Sequence, residues 1–271
     1  RPTRLTAADG FALLASGLLS VAEGSPNFTV HEWGTFTTVH APDGELLPGL
    51  EREEERLPNF VRSHSGFAPA DKGWSRPVRN VTVKMETPVL YVYAAQPFRL
   101  RSEVSFIGGS ISQWYPERVA GEVLPSAEIG SKPEPIDFSA GFRGAAIWEV
   151  DVLPPGEPLN PPHPDWETPQ WPRARVPSAN VLRGPKGERE GFIFYRGVGN
   201  FALPLHLSFD ADGDFLIENR GAEPVPFVWI YDHRAQSGAR YDWSGPLAAG
   251  ERRRVGPAKV HFGPDRTKVL R

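Results

Sequence analysis

The sequence predicts an all-β protein built as two antiparallel β-sandwich-like domains joined by a proline-rich connector. Three observations predict it. Apolar residues recur with period two, the spacing that lines one face of a strand. Turn-forming pairs such as Asp43-Gly44 and Asp212-Gly213 stand between these runs. The 29 prolines and 27 glycines among 271 residues disfavour long helices.

Composition narrows the function classes. Thirty Lys and Arg against 33 Asp and Glu give a net charge of −3, which excludes binding nucleic acid through bulk positive charge. The absence of cysteine removes disulfides, thiolate metal sites, iron–sulfur clusters and cysteine nucleophiles together. At the start, Arg1 and Arg4 precede the apolar run FALLASGLLSVA, which ends in Ser20-Val21-Ala22. A basic start, a short apolar run and small residues at its end form a secretory signal, so residues 1–24 read as either a signal or an N-terminal helix. The run is too short to span a bilayer. The signal reading implies an extracytoplasmic protein, periplasmic or secreted.

The N-terminal β domain is expected over residues 25–152. A strand over 28–40 is turned by Asp43-Gly44, and the charge run EREEER at 51–56 reads as one or two exposed helical turns before Pro58. The segment VTVKMETPVLYVY at 81–93 is the strongest strand signal. Its Pro88 demands an edge or a bulge, because proline donates no ladder hydrogen bond. Residues 98–106 alternate, with Phe98, Leu100, Val104 and Phe106 inward and Arg99, Arg101, Glu103 and Ser105 outward. AAIWEVDV at 145–152 supplies another strand.

A connector follows over 153–177. Nine prolines there exclude both a sheet interior and a helix, and Trp166 and Trp171 suggest that the segment is pinned to a surface. The second sandwich is expected over 178–258, with strands at 191–196, 204–209, 214–219, 226–231 and 252–255. Residues 259–271 read as a C-terminal extension, with the chain as a fragment of something longer.

Two resemblances extend this reading. The run FLIENRGAEPVPFVWIY followed by GPLAAGERRRV resembles bacterial immunoglobulin-like domains, which implies that sandwich type for about the last 60 residues without implying chemistry. Further, VHEWGTFTTV at 30–39, KMETPVLYVY at 84–93, QWYP at 113–116 and FYRGVGNF at 194–201 occur in that order. Together they resemble a family of uncharacterised exported bacterial proteins of the myxobacterial and planctomycete type. That resemblance implies a β-rich exported protein and brings no functional residues with it.

The candidate chemistry is sparse. His31 and Glu32 are adjacent on a strand and so diverge, and HEWGT lacks the second histidine of a zincin helix. Arg196 ends a strand apolar on both faces and should lie near the interior, where a guanidinium needs an acid. Glu32 and Glu86 are the natural partners in a buried fork. The alternatives make Glu32 and Glu86 an acid/base pair, as in glycoside hydrolysis, or make His31 a metal ligand with Glu86 or another histidine. Gly197 to Ala202 spells G-x-G-x-x-A, but no helix follows, so it reads as a glycine-rich turn and implies no dinucleotide cofactor.

Four tryptophans in loop-like settings, Trp74, Trp166, Trp171 and Trp243, are candidates for a platform that binds a protein or carbohydrate surface. Trp33, Trp148 and Trp229 read as core. The sequence therefore points to an exported, non-catalytic binding or structural module with no cofactor and with self-assembly through edge strands open to it. The rival is a metal- or carboxylate-dependent hydrolase using Glu32, Glu86, His31 and Arg196 at a domain interface.

Overall fold

The computed structural model describes residues 18–21, 27–51, 57–63, 78–122, 135–138, 141–159, 170–226, 228–232, 239–243 and 246–255. It is mostly β, with one large mixed sheet and small antiparallel sheets. Two compact units divide the chain, residues 1–39 with 48–201 and residues 40–47 with 202–271.

In the first unit the strands are β1 (Leu18–Val21), β2 (Phe28–Thr38), β3 (Arg62–Ser63), β4 (Val78–Arg79), β5 (Val83–Ala94), β6 (Phe98–Ile107), β7 (Gly109–Tyr115), β8 (Ile136–Asp137) and β9 (Arg143–Val152). The helical turn α1 (Gln170–Arg173) precedes β10 (Leu182–Arg183), β11 (Arg189–Glu190) and β12 (Ile193–Gly199). The main sheet runs β1-β6-β9-β7-β12-β5-β2; its pairs are antiparallel except at a parallel bridge between β7 and β9. β12 is central, as its two apolar faces require: every one of its residues is buried.

This sheet doubles over on itself. Phe28 of β2, at one end of the strand order, packs its ring 4.9 Å from Phe98 of β6 near the other end. Met85, Leu90, Phe106, Ile111, Trp148, Ile193 and Tyr195 fill the space enclosed. Asn180 ties the seam. Its Oδ1 accepts from the Ala94 N–H at 2.7 Å, and its Nδ2 donates to the carbonyls of Ala94 at 3.1 Å and Leu153 at 2.8 Å. The end of β5 is thereby bound to the chain leaving β9.

The opposite face of β5, β12 and β7 carries a second apolar cluster of Val89, Tyr91, Tyr115, Phe192 and Phe194, against which Trp171 of α1 is buried. The later part of the connector is thus pinned, as its tryptophan implies, while residues 160–169 lie outside the described residues. Alternation along β6 is as expected for Leu100, Val104 and Phe106. The outward Arg99 and Arg101 pair with Glu149 and Asp151 across the strand at 2.9–3.3 Å. Ser105, expected outside, is buried.

The second unit holds β13 (Leu205–Phe209), β14 (Phe215–Asn219), β15 (Val228–Asp232), β16 (Ala239–Trp243) and β17 (Arg252–Val255). β13-β14-β17 form an antiparallel sheet and β15-β16 a hairpin; Ile217, Val225, Val228 and Leu247 make their core. Asp43-Gly44 and Asp212-Gly213 turn the chain as expected, each glycine at positive φ.

Three expectations need correction. The strands of residues 182–199, assigned above to the second sandwich, belong to the large sheet, so the units divide after residue 201 rather than at the connector. Non-local pairing of β12 with β5 and β7 outweighs the break in sequence that proline makes. Leu18–Val21 is a strand registered on β6 rather than helix; residues 1–17 and 22–24 lie outside the described residues, as do 52–56 of the charge run and the extension 259–271. Finally, Gly197-Val198-Gly199 is strand, not turn. A Cβ at Gly197 would meet the Met85 methyl at 2.1 Å and the Ser110 carbonyl at 2.6 Å, so close approach rather than turning selects glycine there.

Candidate functional site

The large sheet carries one irregular line. The register shifts between Trp33 and Thr35 on the β2–β5 pair, between Phe194 and Gly197 on the β5–β12 pair, and between Arg196 and Gly197 on the β12–β7 pair. The three shifts lie at the same level of four adjacent strands. Pro88 supplies the cause on β5, since it has no N–H for the ladder, and Gly34 of β2 lies close against it, where an added Cβ would meet Pro88 at 3.0–3.3 Å. On β7, Ser112 and Gln113 together oppose Arg196, with Ser112 the extra residue.

Arg196 is buried at this level, as its sequence position predicts. It points away from the enclosed core, stacks over Phe194 at 5.9 Å and donates from Nη1 to Gln113 Oε1 at 3.4 Å. Lys84, also buried, lies on the same face opposite Val198 and meets Glu86 Oε1 at 3.4 Å. Thr37 Oγ1 donates to the other Glu86 oxygen at 3.0 Å. Ser110, beside Val198, and Ser112 are both buried, and their hydroxyls have no hydrogen-bond partner among the described residues. Sequence reasoning identified Arg196 and Glu86, but missed the two serines. A serine alternating with Ile111 in an apolar strand was the signal available for them.

Glu32 goes elsewhere. It is cross-strand from Leu90, on the inner face, and its carboxylate accepts a hydrogen bond from the hydroxyl of the fully buried Tyr195. Burial raises the Glu32 carboxyl above its ordinary value, and the Tyr195 hydrogen bond partly offsets this. Burial chiefly, then the Glu32 charge, pushes the Tyr195 phenol well above its usual range. Glu32 therefore lies on the opposite side of the sheet from Arg196 and Glu86. The fork joining all three does not form, and the two carboxylates cannot flank one scissile bond as an acid/base pair.

A buried Arg–carboxylate fork does exist, at residues the sequence did not single out. Glu190, its side chain wholly buried, takes Arg175 Nε at 3.0 Å and Nη2 at 3.1 Å, with Trp171 Nε1 at 2.8 Å and the Gly191 N–H at 2.8 Å. Trp171 is accordingly core and not a ligand platform. The other platform candidates, Trp74, Trp166 and the side chain of Trp243, lie outside the described residues. Trp33 reverses its expected role: it stands on the outer face of edge strand β2 and is 69% exposed. Trp148 is fully buried, as expected. His31 is exposed, with its ring 4.9 Å from that of Tyr93 and tilted 55° to it. Among the described residues no three His, Asp or Glu side chains gather as a metal-ligand set, so nothing assembles around His31.

The class defined by these features is a β-protein with a folded-over mixed sheet, a polar seam on its outer face and a second, smaller β unit. No protein-family model, curated protein or solved structure matches the chain.

Proposed function

We propose that this protein is an exported, non-catalytic binding module that docks an extended protein segment along β2. The observation that carries the reading is the edge itself. β2 is eleven residues long, pairs on one side with β5 and with no other strand among the described residues, and exposes His31, Trp33 and Thr35 on its outer face. Soluble β-proteins usually blunt an edge of this length with lysine, proline or a covering element. β2 carries neither residue, and an exposed indole on an edge that no second described strand pairs suits strand addition, in which the backbone gives affinity and side chains give selectivity. The second unit belongs to the same proposal as an immunoglobulin-like sandwich, supported by the core that β14 and β15 share. The separation of Glu32 from Glu86 weighs against a hydrolase built on that pair of carboxylates.

The test uses a fluorescently labelled peptide of the β2 sequence, FTVHEWGTFTT, as the probe of strand pairing, with anisotropy as the readout. Saturable binding to the full chain is expected, and it should be lost in Trp33→Lys, which sets a charge on the edge. Absence of saturable binding, or equal binding by the Trp33→Lys protein, overturns the reading. Export is checked separately by cell fractionation.

A further inference from the structure

We infer that the hairpin of residues 40–47 is a proton-released strap, latched onto the second unit at the His40–His206 ring pair and opened when those imidazoles charge; this is independent of the docking edge. The chain enters the second unit twice. Residues 40–47 belong to it although residues 39 and 48 belong to the first unit, and the chain crosses again after residue 201. Detaching the hairpin leaves the crossing after residue 201 as the chain's entry into the second unit. The latch is small. The hairpin closes on itself, with the Ala41 N–H donating to the Glu45 carbonyl at 2.8 Å and the Gly44 N–H to the Ala41 carbonyl at 2.9 Å, so it can keep its shape when it lifts. On β13 the Phe209 N–H donates to the Pro42 carbonyl at 2.8 Å, and Gly44 is buried so close to the His206 ring that a Cβ there would overlap it. Segments held by few contacts open locally at a lower free energy than the unit that carries them.

Charge sets the direction of the response. The His40 and His206 rings lie 6.0 Å apart, edge-on, where two imidazolium charges repel. Glu218 faces His206 across the β13–β14 pair, its Oε2 4.0 Å from Nδ1, but that same oxygen holds the Arg220 guanidinium at 2.8 Å, and Arg252 stands opposite Glu218 on β17. On the hairpin, Asp43 accepts from the Glu45 N–H at 3.1 Å, and Glu45 is exposed. Burial first, then Arg220 and His40, hold the His206 imidazole below its ordinary value in the closed form, against Glu218 and the Gly44 carbonyl. Lifting the hairpin takes away the burial and the His40 charge, which outweigh the Gly44 carbonyl lost with them. The open form therefore binds the proton more tightly, and the latch weakens as pH falls through the closed-form value.

The experiment is hydrogen exchange of the full chain, read by mass spectrometry at roughly pH 5 and pH 8 and corrected for the intrinsic exchange rate. Amides of residues 40–47 and of Phe209 should be less protected than the β14–β17 ladder at both values, and acidification should cut their protection by about threefold or more. His206→Gln should remove most of that loss. If His206→Gln fails to fold, His40→Gln reads the same coupling from the hairpin side and should reduce the loss. Protection of the hairpin that does not change with pH overturns the proposal. So does protection equal to that of the β14–β17 ladder, since the strap would then open only as the unit unfolds, or a loss kept in full by either folded variant.

Discussion

Glu190 is held by Arg175 in a bidentate fork, Nε to Oε1 at 3.0 Å and Nη2 to Oε2 at 3.1 Å, with no part of the Glu190 side chain exposed and Arg175 13% exposed. The fork joins the end of the connector to the strand preceding β12. Trp171 and the Gly191 N–H complete the carboxylate's hydrogen bonds, which meets the condition under which a buried ion pair is tolerated. Glu190→Gln keeps the shape and removes the charge, leaving the Arg175 guanidinium mostly buried. Removing one partner of such a pair costs about 3–5 kcal/mol. Urea unfolding of Glu190→Gln should show that loss as a lowered midpoint with unchanged slope; a change within about 0.5 kcal/mol, typical of surface sites, would mean that the fork is ornamental to stability.

Asn180 makes a second prediction. Both of its amide donors go to carbonyls, of Ala94 and Leu153, and its oxygen accepts from the Ala94 N–H. Asn180→Asp places an acceptor where two carbonyl oxygens already lie. Two lost hydrogen bonds with their acceptors left buried cost about 2–6 kcal/mol together. The penalty should shrink at acidic pH as the new carboxyl protonates and regains a donor. A thermal scan of wild type and Asn180→Asp at neutral and acidic pH measures the difference, and a pH-independent gap would contradict this account.

How far the sequence revealed these features follows from the range of each interaction. Period-two alternation is local, so β6 and β9 were readable directly, and Pro88 announced its bulge because a missing N–H acts wherever the strand lies. The two apolar faces of residues 192–195 correctly implied a central strand with Arg196 inside. Partner identity was not readable. Glu190 stands in the stretch KGERE, which looks like a solvated turn, and becomes buried only because β12 pairs with β5 and β7, about a hundred residues earlier in the chain. Glu32 and Glu86 looked equivalent on apolar strands, but the register shift between Trp33 and Thr35 and the bulge at Pro88 determine which face each reaches. The exposure of Trp33 likewise depends on β2 being last in the strand order.

Glu32 gives the protein an acid-side pH dependence. Burial raises its folded pKa above the ordinary 4.5, so the native state binds the proton more tightly than the unfolded chain. Its contribution to stability is therefore fully present below the unfolded value and is lost as pH rises through the folded value. Glu32→Gln, which keeps the Tyr195 contact without a titrating group, should remove a decline in unfolding free energy that begins above pH 4.5. Denaturant titrations at several pH values in that range compare the slopes, and identical slopes would exclude Glu32 as the source.

The second unit should respond in the opposite sense. His206 lies on the 40–47 hairpin: a Cβ added at Gly44 would fall 2.3 Å from its ring, and the His40 ring is 6.0 Å away, edge-on. Burial first, then Arg220 and His40, lowers the His206 pKa below 6.5; Glu218 and the Gly44 carbonyl oppose the shift without reversing it. A histidine with a depressed folded pKa contributes stability that is present above the unfolded value and lost as pH falls through the folded one. The midpoint of the second unit should thus decline below pH 6.5, and His206→Gln should flatten that decline while leaving the Glu32-dependent slope intact. Gly44→Ala offers an independent check, since it drives a methyl into the His206 ring at a positive φ of 93°. It should destabilise at every pH by about 1–3 kcal/mol, the usual cost of overpacking. Calorimetry of the three proteins across pH 5–8, a range bracketing the histidine, separates the effects. A decline that persists unchanged in His206→Gln would assign the acid sensitivity to another group.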